Sequence, residues 1–208
     1  MPNLMTNWFV AFGASGSEGL GDITNLLSSF PADCPAIFMV VLHRPSDAQS
    51  ELAQVLRHHC AMPVAIARQA QTLERSVCYI GEPADHLTLM HHRRAHMVEG
   101  LHNAYRNRTV DLLFMSIARF ARHRAIGVVL SGALDDGSRG LAQIHAAGGV
   151  TMVLRPGTKP RGMQQNAIEY DGPVSLIGTS EQLAREIYRL VSSPASELLP
   201  ATLRRTQC

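Results

Sequence analysis

Trp8-Phe-Val-Ala-Phe-Gly13-Ala-Ser15-Gly16 is the stretch from which the rest of the chain is read. A short unbroken apolar run bounded by turn residues marks a strand buried on both faces, as in a covered parallel sheet. Gly13 to Gly16 break the run before a helical stretch around Leu20 to Ser29. The unit is a strand, a sharp turn carrying a small hydroxyl, and a helix. It returns at Ala36-Ile-Phe-Met-Val-Val-Leu42, with His43 directly beyond the run. Pro45-Ser-Asp47 then signals a helix start ahead of Leu52, Val55 and Leu56. A third copy runs from Ile126 to Leu130, continues through Ser131-Gly-Ala-Leu-Asp-Asp136-Gly137, and enters a helix over 138–147 stopped by Gly148-Gly149.

Between the second and third units the pattern shortens. Val64-Ala-Ile-Ala67, Val77-Cys-Tyr-Ile80, Leu87-Thr-Leu-Met90 and Ala95-His-Met-Val98 read as strands, the last two as an antiparallel hairpin around His91-His-Arg-Arg94. Val110, Leu113, Phe114, Ile117, Ala118 and Ala121 repeat at helical spacing, with Thr109 as the expected N-cap. Val150 to Leu154 is a further strand, 164–170 a short helix and 181–191 a closing helix. The alternation predicts a three-layer α/β/α architecture: a mostly parallel, doubly wound, Rossmann-like sheet with an antiparallel hairpin extension. Residues 1–192 are expected to form a single domain, and 193–208 a flexible tail rich in Ser, Pro, Arg and Gln.

Composition excludes several function classes. No apolar run approaches the roughly 20 residues that cross a bilayer, so membrane insertion is not expected. The N-terminus lacks the basic stretch, apolar core and cleavage site of a secretory signal. The expected location is the cytoplasm. A formal charge of +2, with arginines scattered along the chain, gives no electrostatic case for nucleic acid. Cys34, Cys60, Cys78 and Cys208 show no metal or disulfide spacing. His58, His59 and Cys60 are consecutive and would diverge on a helix, so no metal is assigned.

The chemistry lies just past the strand ends. In an open parallel sheet the carboxyl ends of the strands face one crevice, so Ser15, His43 and Asp136 can converge there. They offer a nucleophile, a base and an orienting acid. Each has a plainer reading. The Ser15 turn equally suits a phosphate or nucleotide, although Gly13-Ala-Ser-Gly-Ser-Glu-Gly19 matches neither dinucleotide nor Walker A spacing. A histidine at a strand end commonly satisfies a local backbone group. Asp135 or Asp136 can cap the helix beginning near Ser138.

With these residues in view, the chain resembles the catalytic domain of the chemotaxis protein-glutamate methylesterase family over nearly all of 8–191. The matching segments are Gly13-Ala-Ser15, Leu42-His43-Arg-Pro45, Tyr79-Ile-Gly-Glu-Pro83 with Leu87, Arg106-Asn-Arg108-Thr-Val-Asp111-Leu-Leu-Phe114, Leu130-Ser-Gly-Ala-Leu-Asp-Asp136-Gly137 and Gly162-Met163 before Ala167-Ile168. The resemblance implies a triad of Ser15, His43 and Asp136, with Gly16, Ala133, Met163, Arg106 and Arg108 as oxyanion or substrate-cleft candidates. It implies hydrolysis of glutamyl γ-methyl esters on the cytoplasmic helices of chemoreceptors, a related deamidation of glutamine, and no cofactor. The family's usual receiver domain is not seen ahead of the first strand, so control in cis is not expected and a separate response regulator becomes a candidate partner. Ser17, Glu18, Ala133, Leu134 and Gln164 depart from the family pattern around the expected cleft. Two other readings stay open: a divergent esterase or amidase on another substrate, and a non-catalytic module that keeps the fold to bind receptors or signalling partners.

Overall fold

Alternate residues of the first strand, β1 (Trp8–Ser15), enter two different cores. Trp8, Val10, Phe12 and Ala14 belong to one, and Phe9 and Ala11 to the other. This is the period of two expected of a strand covered on both faces. A computed structural model of the chain describes residues 7–43, 51–81, 83–99, 108–133, 135–157 and 161–193. The expected helix-start signal at Pro45-Ser-Asp47 lies outside these residues, as do the tail residues 194–208.

The remaining strands are β2 (Ala36–His43), β3 (Val64–Ile66), β4 (Val77–Ile80), β5 (Asp85–Met90), β6 (Arg94–Glu99), β7 (Ala125–Val129), β8 (Val150–Leu154) and β9 (Leu176–Gly178). Seven of the strands form one sheet in the order β3-β4-β2-β1-β7-β8-β9, with every described pairing parallel. From β1 the chain winds outward through β2 on one side, then returns to start β7 on the other. That reversal places the switch point at the carboxyl end of β1, where open α/β sheets bind ligands.

The helices are α1 (Gly16–Ser28), α2 (Leu52–His59), α3 (Thr109–Ala121), α4 (Ser138–Ala146), α5 (Met163–Glu169) and α6 (Ser180–Ser192). Apolar residues of α1, α2 and α6 complete the first core, among them Ile23, Leu56 and Ile187. Residues of α3, α4 and α5, such as Phe114, Ile144 and Met163, complete the second. The three-layer expectation therefore describes the molecule. The predicted hairpin also forms, β5 pairing antiparallel with β6 through Leu87 opposite Met97. It stands as its own two-stranded sheet instead of prolonging the main one. Leu87, Leu89 and Ala95 face the second core, and α3 packs against β5. The hairpin is thus a cover on the α3 side.

Two local expectations are corrected. Thr109 is the first residue of α3 and Arg108 its N-cap, with no side-chain cap from either. The first helix begins at Gly16, four residues before the apolar pattern announces it. Gly16 to Gly19 carry too little apolar surface for periodicity to register them.

Candidate active site

Ser15 and His43 are register partners, each the last residue of its strand. Side chains in register on neighbouring parallel strands project from the same face, and adjacent strands lie about 4.8 Å apart. Both residues continue the odd-numbered series that enters the second core, Ala11 on one strand and Met39 and Val41 on the other. Both therefore point toward the side on which α3 lies. The Ser15 N–H donates to the Ser131 carbonyl at 2.9 Å, tying the end of β1 to the segment after β7. The Ser15 hydroxyl does not cap α1.

Asp136 is fully buried and lies at the N-terminus of α3. The Val110 N–H donates to its Oδ2 at 2.8 Å and the Asp111 N–H to its Oδ1 at 2.8 Å. Its Oδ2 also lies 2.6 Å from His43 Nε2. A buried carboxylate needs such partners, and the positive end of a helix dipole favours its charge. With an acceptor-only carboxylate at Nε2, that nitrogen carries the proton and Nδ1 remains as the ring's acceptor. Among the described residues no hydrogen bond joins the Ser15 hydroxyl to the His43 ring. Catalytic contacts of this kind commonly tighten only in the substrate complex.

The expectation that Asp135 or Asp136 caps the helix at Ser138 is corrected. Asp111 does it instead, its Oδ1 accepting from the Gly137 N–H at 3.0 Å and the Gly140 N–H at 2.8 Å. The two aspartates are exchanged between helices: Asp136 binds the start of α3, and Asp111, on α3, binds the start of α4. Arg108 reaches Asp111 Oδ2 at 3.3 Å from a partly exposed position. Burial raises the Asp111 carboxyl above its usual range, and the nearby Asp136 charge adds to this against the two backbone N–H groups and Arg108. Asp111 lies inside the family-like segment from Arg106 to Phe114, but only the fold shows which helix it serves.

His86 is a site neighbour that sequence reasoning missed. It is buried on β5, a strand of the hairpin, and desolvation lowers its pKa, opposed by the charges of Asp85 and Asp136 and assisted by that of His43. A single histidine in a strand of alternating pattern carries no signal of this position.

The remaining cleft candidates separate. Gly132 sits against the Ser15 turn, since a Cβ there would overlap the Met163 sulfur and come within 2.8 Å of Ser15 Cβ. Met163 is fully buried and its N–H donates to the Gly132 carbonyl at 2.8 Å, so it serves as a wall and not as a free backbone donor. Gly16 opens α1 with φ of +72°, directly after Ser15. Ala133 is exposed beside Gly132. Gln164, one of the departures, donates from Nε2 to the Ser131 hydroxyl at 3.0 Å, fixing the segment that holds Ser15. Arg106 and Leu134 lie outside the described residues. No group of three or more metal-ligating side chains occurs among the described residues, and none of their helices is long and apolar enough to cross a membrane.

The family model described as CheB methylesterase matches residues 10–187. The protein-glutamate methylesterase/protein-glutamine glutaminase 3 of Burkholderia thailandensis is 36% identical over 142 residues, covering 67% of this chain and 39% of that protein. A protein of the same activity name from Cereibacter sphaeroides is 32% identical over 188 residues, 88% of this chain and 49% of its own. One from Pectobacterium atrosepticum is 28% identical over 94% of this chain and 56% of its own. The chain thus spans between 39% and 56% of the length of these relatives. The Thermotoga maritima CheB methylesterase catalytic domain superposes with a TM-score of 0.77 at 22% identity, over 88% of this chain and 98% of that one, and so shares the fold.

Proposed function

This chain belongs to the CheB methylesterase family, and from that premise we propose that it hydrolyses glutamyl γ-methyl esters of chemoreceptor cytoplasmic helices, with Ser15, His43 and Asp136 as its triad. The observation that carries the reading is the short bond between His43 and buried Asp136, with Ser15 in register beside His43. Ser15 Oγ attacks the ester carbonyl carbon while its proton passes to His43 Nδ1. Asp136 holds the ring orientation and faces the positive charge that develops on it. Collapse of the tetrahedral intermediate breaks the bond to the methoxy oxygen, which leaves as methanol with the proton from His43. Water then attacks the acyl-serine, giving its proton to His43. Departure of Ser15 Oγ, which takes that proton back, frees the glutamyl carboxylate. A glutamine side chain would follow the same course with ammonia leaving.

The Ser15 N–H is already committed to Ser131. The oxyanion would therefore draw on N–H groups at the start of α1, beginning at Gly16, aided by the helix dipole. Such a substrate places the protein in the cytoplasm. The measurement is methanol release from a methylated receptor cytoplasmic fragment. Parent protein is expected to release methanol, and Ser15→Ala to lose at least about a thousandfold in kcat. Equal rates for the two would reject Ser15 as nucleophile.

A further inference from the structure

The proposed esterase reaction leaves a carboxylate at every site it processes, so a protein segment bearing several such sites becomes acidic as turnover proceeds. A groove whose near end lies at the start of α3, where Val110 and Asp111 hold Asp136, carries the complementary charge. Two cavities of about 540 and 780 Å³ lie along α3 and share Leu112, Met115 and Gln143, forming one groove. Arg108 and Arg139 line its first part, and Arg119 and Arg122 its second. The groove begins at the helix start whose N–H groups hold Asp136 and follows α3, whose 13 residues span about 20 Å.

Its floor and rim are of mixed character. Met115 is 47% exposed, an unusual position for a large apolar side chain, and Leu112 lies beside it, partly buried, one turn back. Arg119, Arg122 and Arg139 are exposed and form no ion pair among the described residues, while Arg108 is shared with Asp111. Arg119 also stacks over Phe120, its guanidinium carbon 5.2 Å from the ring centre, which holds that charge at the groove. The acidic lining consists of Asp111, engaged with α4, and exposed Asp171 at the near end.

We propose that this groove between α3 and α4 docks an acidic, amphipathic helical segment of the substrate protein, next to the ester undergoing hydrolysis. The proposal rests on the esterase reading for the identity of that segment. Apolar side chains of the segment would cover Met115 and Leu112, and its carboxylates would pair with the four arginines. Docking of this kind would present successive esters to a fixed triad and predicts a preference for protein over free ester.

The test uses the full chain and the double variant Arg122→Glu/Arg139→Glu. Both positions are exposed, and a glutamate at 139 falls in the first turn of α4, where it favours the helix. Hydrolysis is followed on the methylated receptor fragment and on N-acetyl-glutamate γ-methyl ester. The ratio of kcat/KM for the fragment to that for the small ester is expected to fall at least tenfold in the variant, chiefly through KM. An unchanged ratio overturns the proposal. In parallel, fluorescence anisotropy follows binding of a labelled helical peptide with Glu and Leu at i, i+3 and i+4 spacing. Parent should bind it at least tenfold more tightly than the variant and more weakly as salt rises. Equal binding by the two overturns the groove. Absence of ester hydrolysis by the parent, with binding still charge-dependent, would reject the esterase reading and leave the groove standing.

Discussion

Gly132 shows how little room surrounds Ser15, the proposed nucleophile. Its missing side chain leaves space for Met163 on one side and Ser15 on the other. Gly132→Ala should push one of them aside, lowering ester hydrolysis at least tenfold and stability by about 1–3 kcal/mol. Urea unfolding alongside the activity assay checks both, and a variant with parental rate and midpoint would contradict the packing described. His86 gives a prediction in pH. Burial depresses its folded pKa below the ordinary histidine value, so over the interval between the two the unfolded chain binds more protons than the folded one. Stability owed to this group is complete above about pH 6.5 and declines as pH falls from there toward the folded value. Subtracting the His86→Gln profile from the parent's should isolate that decline; parallel profiles between pH 7 and 5 would disprove it.

At the scale of elements, the exchange of Asp136 and Asp111 ties α3, α4 and the proposed triad into one device. Asp111→Ala leaves the Gly137 and Gly140 N–H groups without their acceptor, and an unsatisfied buried donor costs about 1–3 kcal/mol. The variant should therefore lose about that much or more in chemical denaturation. It should also lose activity, because Gly137 follows Asp136 directly. A loss of stability with parental kcat would separate the helix start from the proposed role of Asp136. The strands around this device were legible in the sequence because burial on both faces leaves unbroken apolar runs, as in Ala36 to Leu42. The hairpin's existence was legible too. Its detachment from the main sheet was not, since pairing partners across distant segments leave no mark in local pattern. The apolar pattern marks α1 only from about Leu20, because its first turn, Gly16 to Gly19, carries small and polar residues.

The whole molecule is a parallel sheet whose reversal of winding order brings three strand ends to one place. The expectation that Ser15, His43 and Asp136 would gather there followed from each trailing an apolar run. The pairing of His43 with Asp136 was an expectation the resemblance sharpened; the helix N-terminus beneath Asp136 and the histidine at 86 required the tertiary fold. The central claim is that the three side chains act as one unit. Members of such a unit have non-additive effects, because removing one disables the others. The direct measurement is therefore methanol release by Ser15→Ala, His43→Ala and the double variant, each against parent. The account predicts that the double variant loses no more than Ser15→Ala alone, within about threefold. Losses that multiply, or a Ser15→Ala variant as fast as parent, would contradict it.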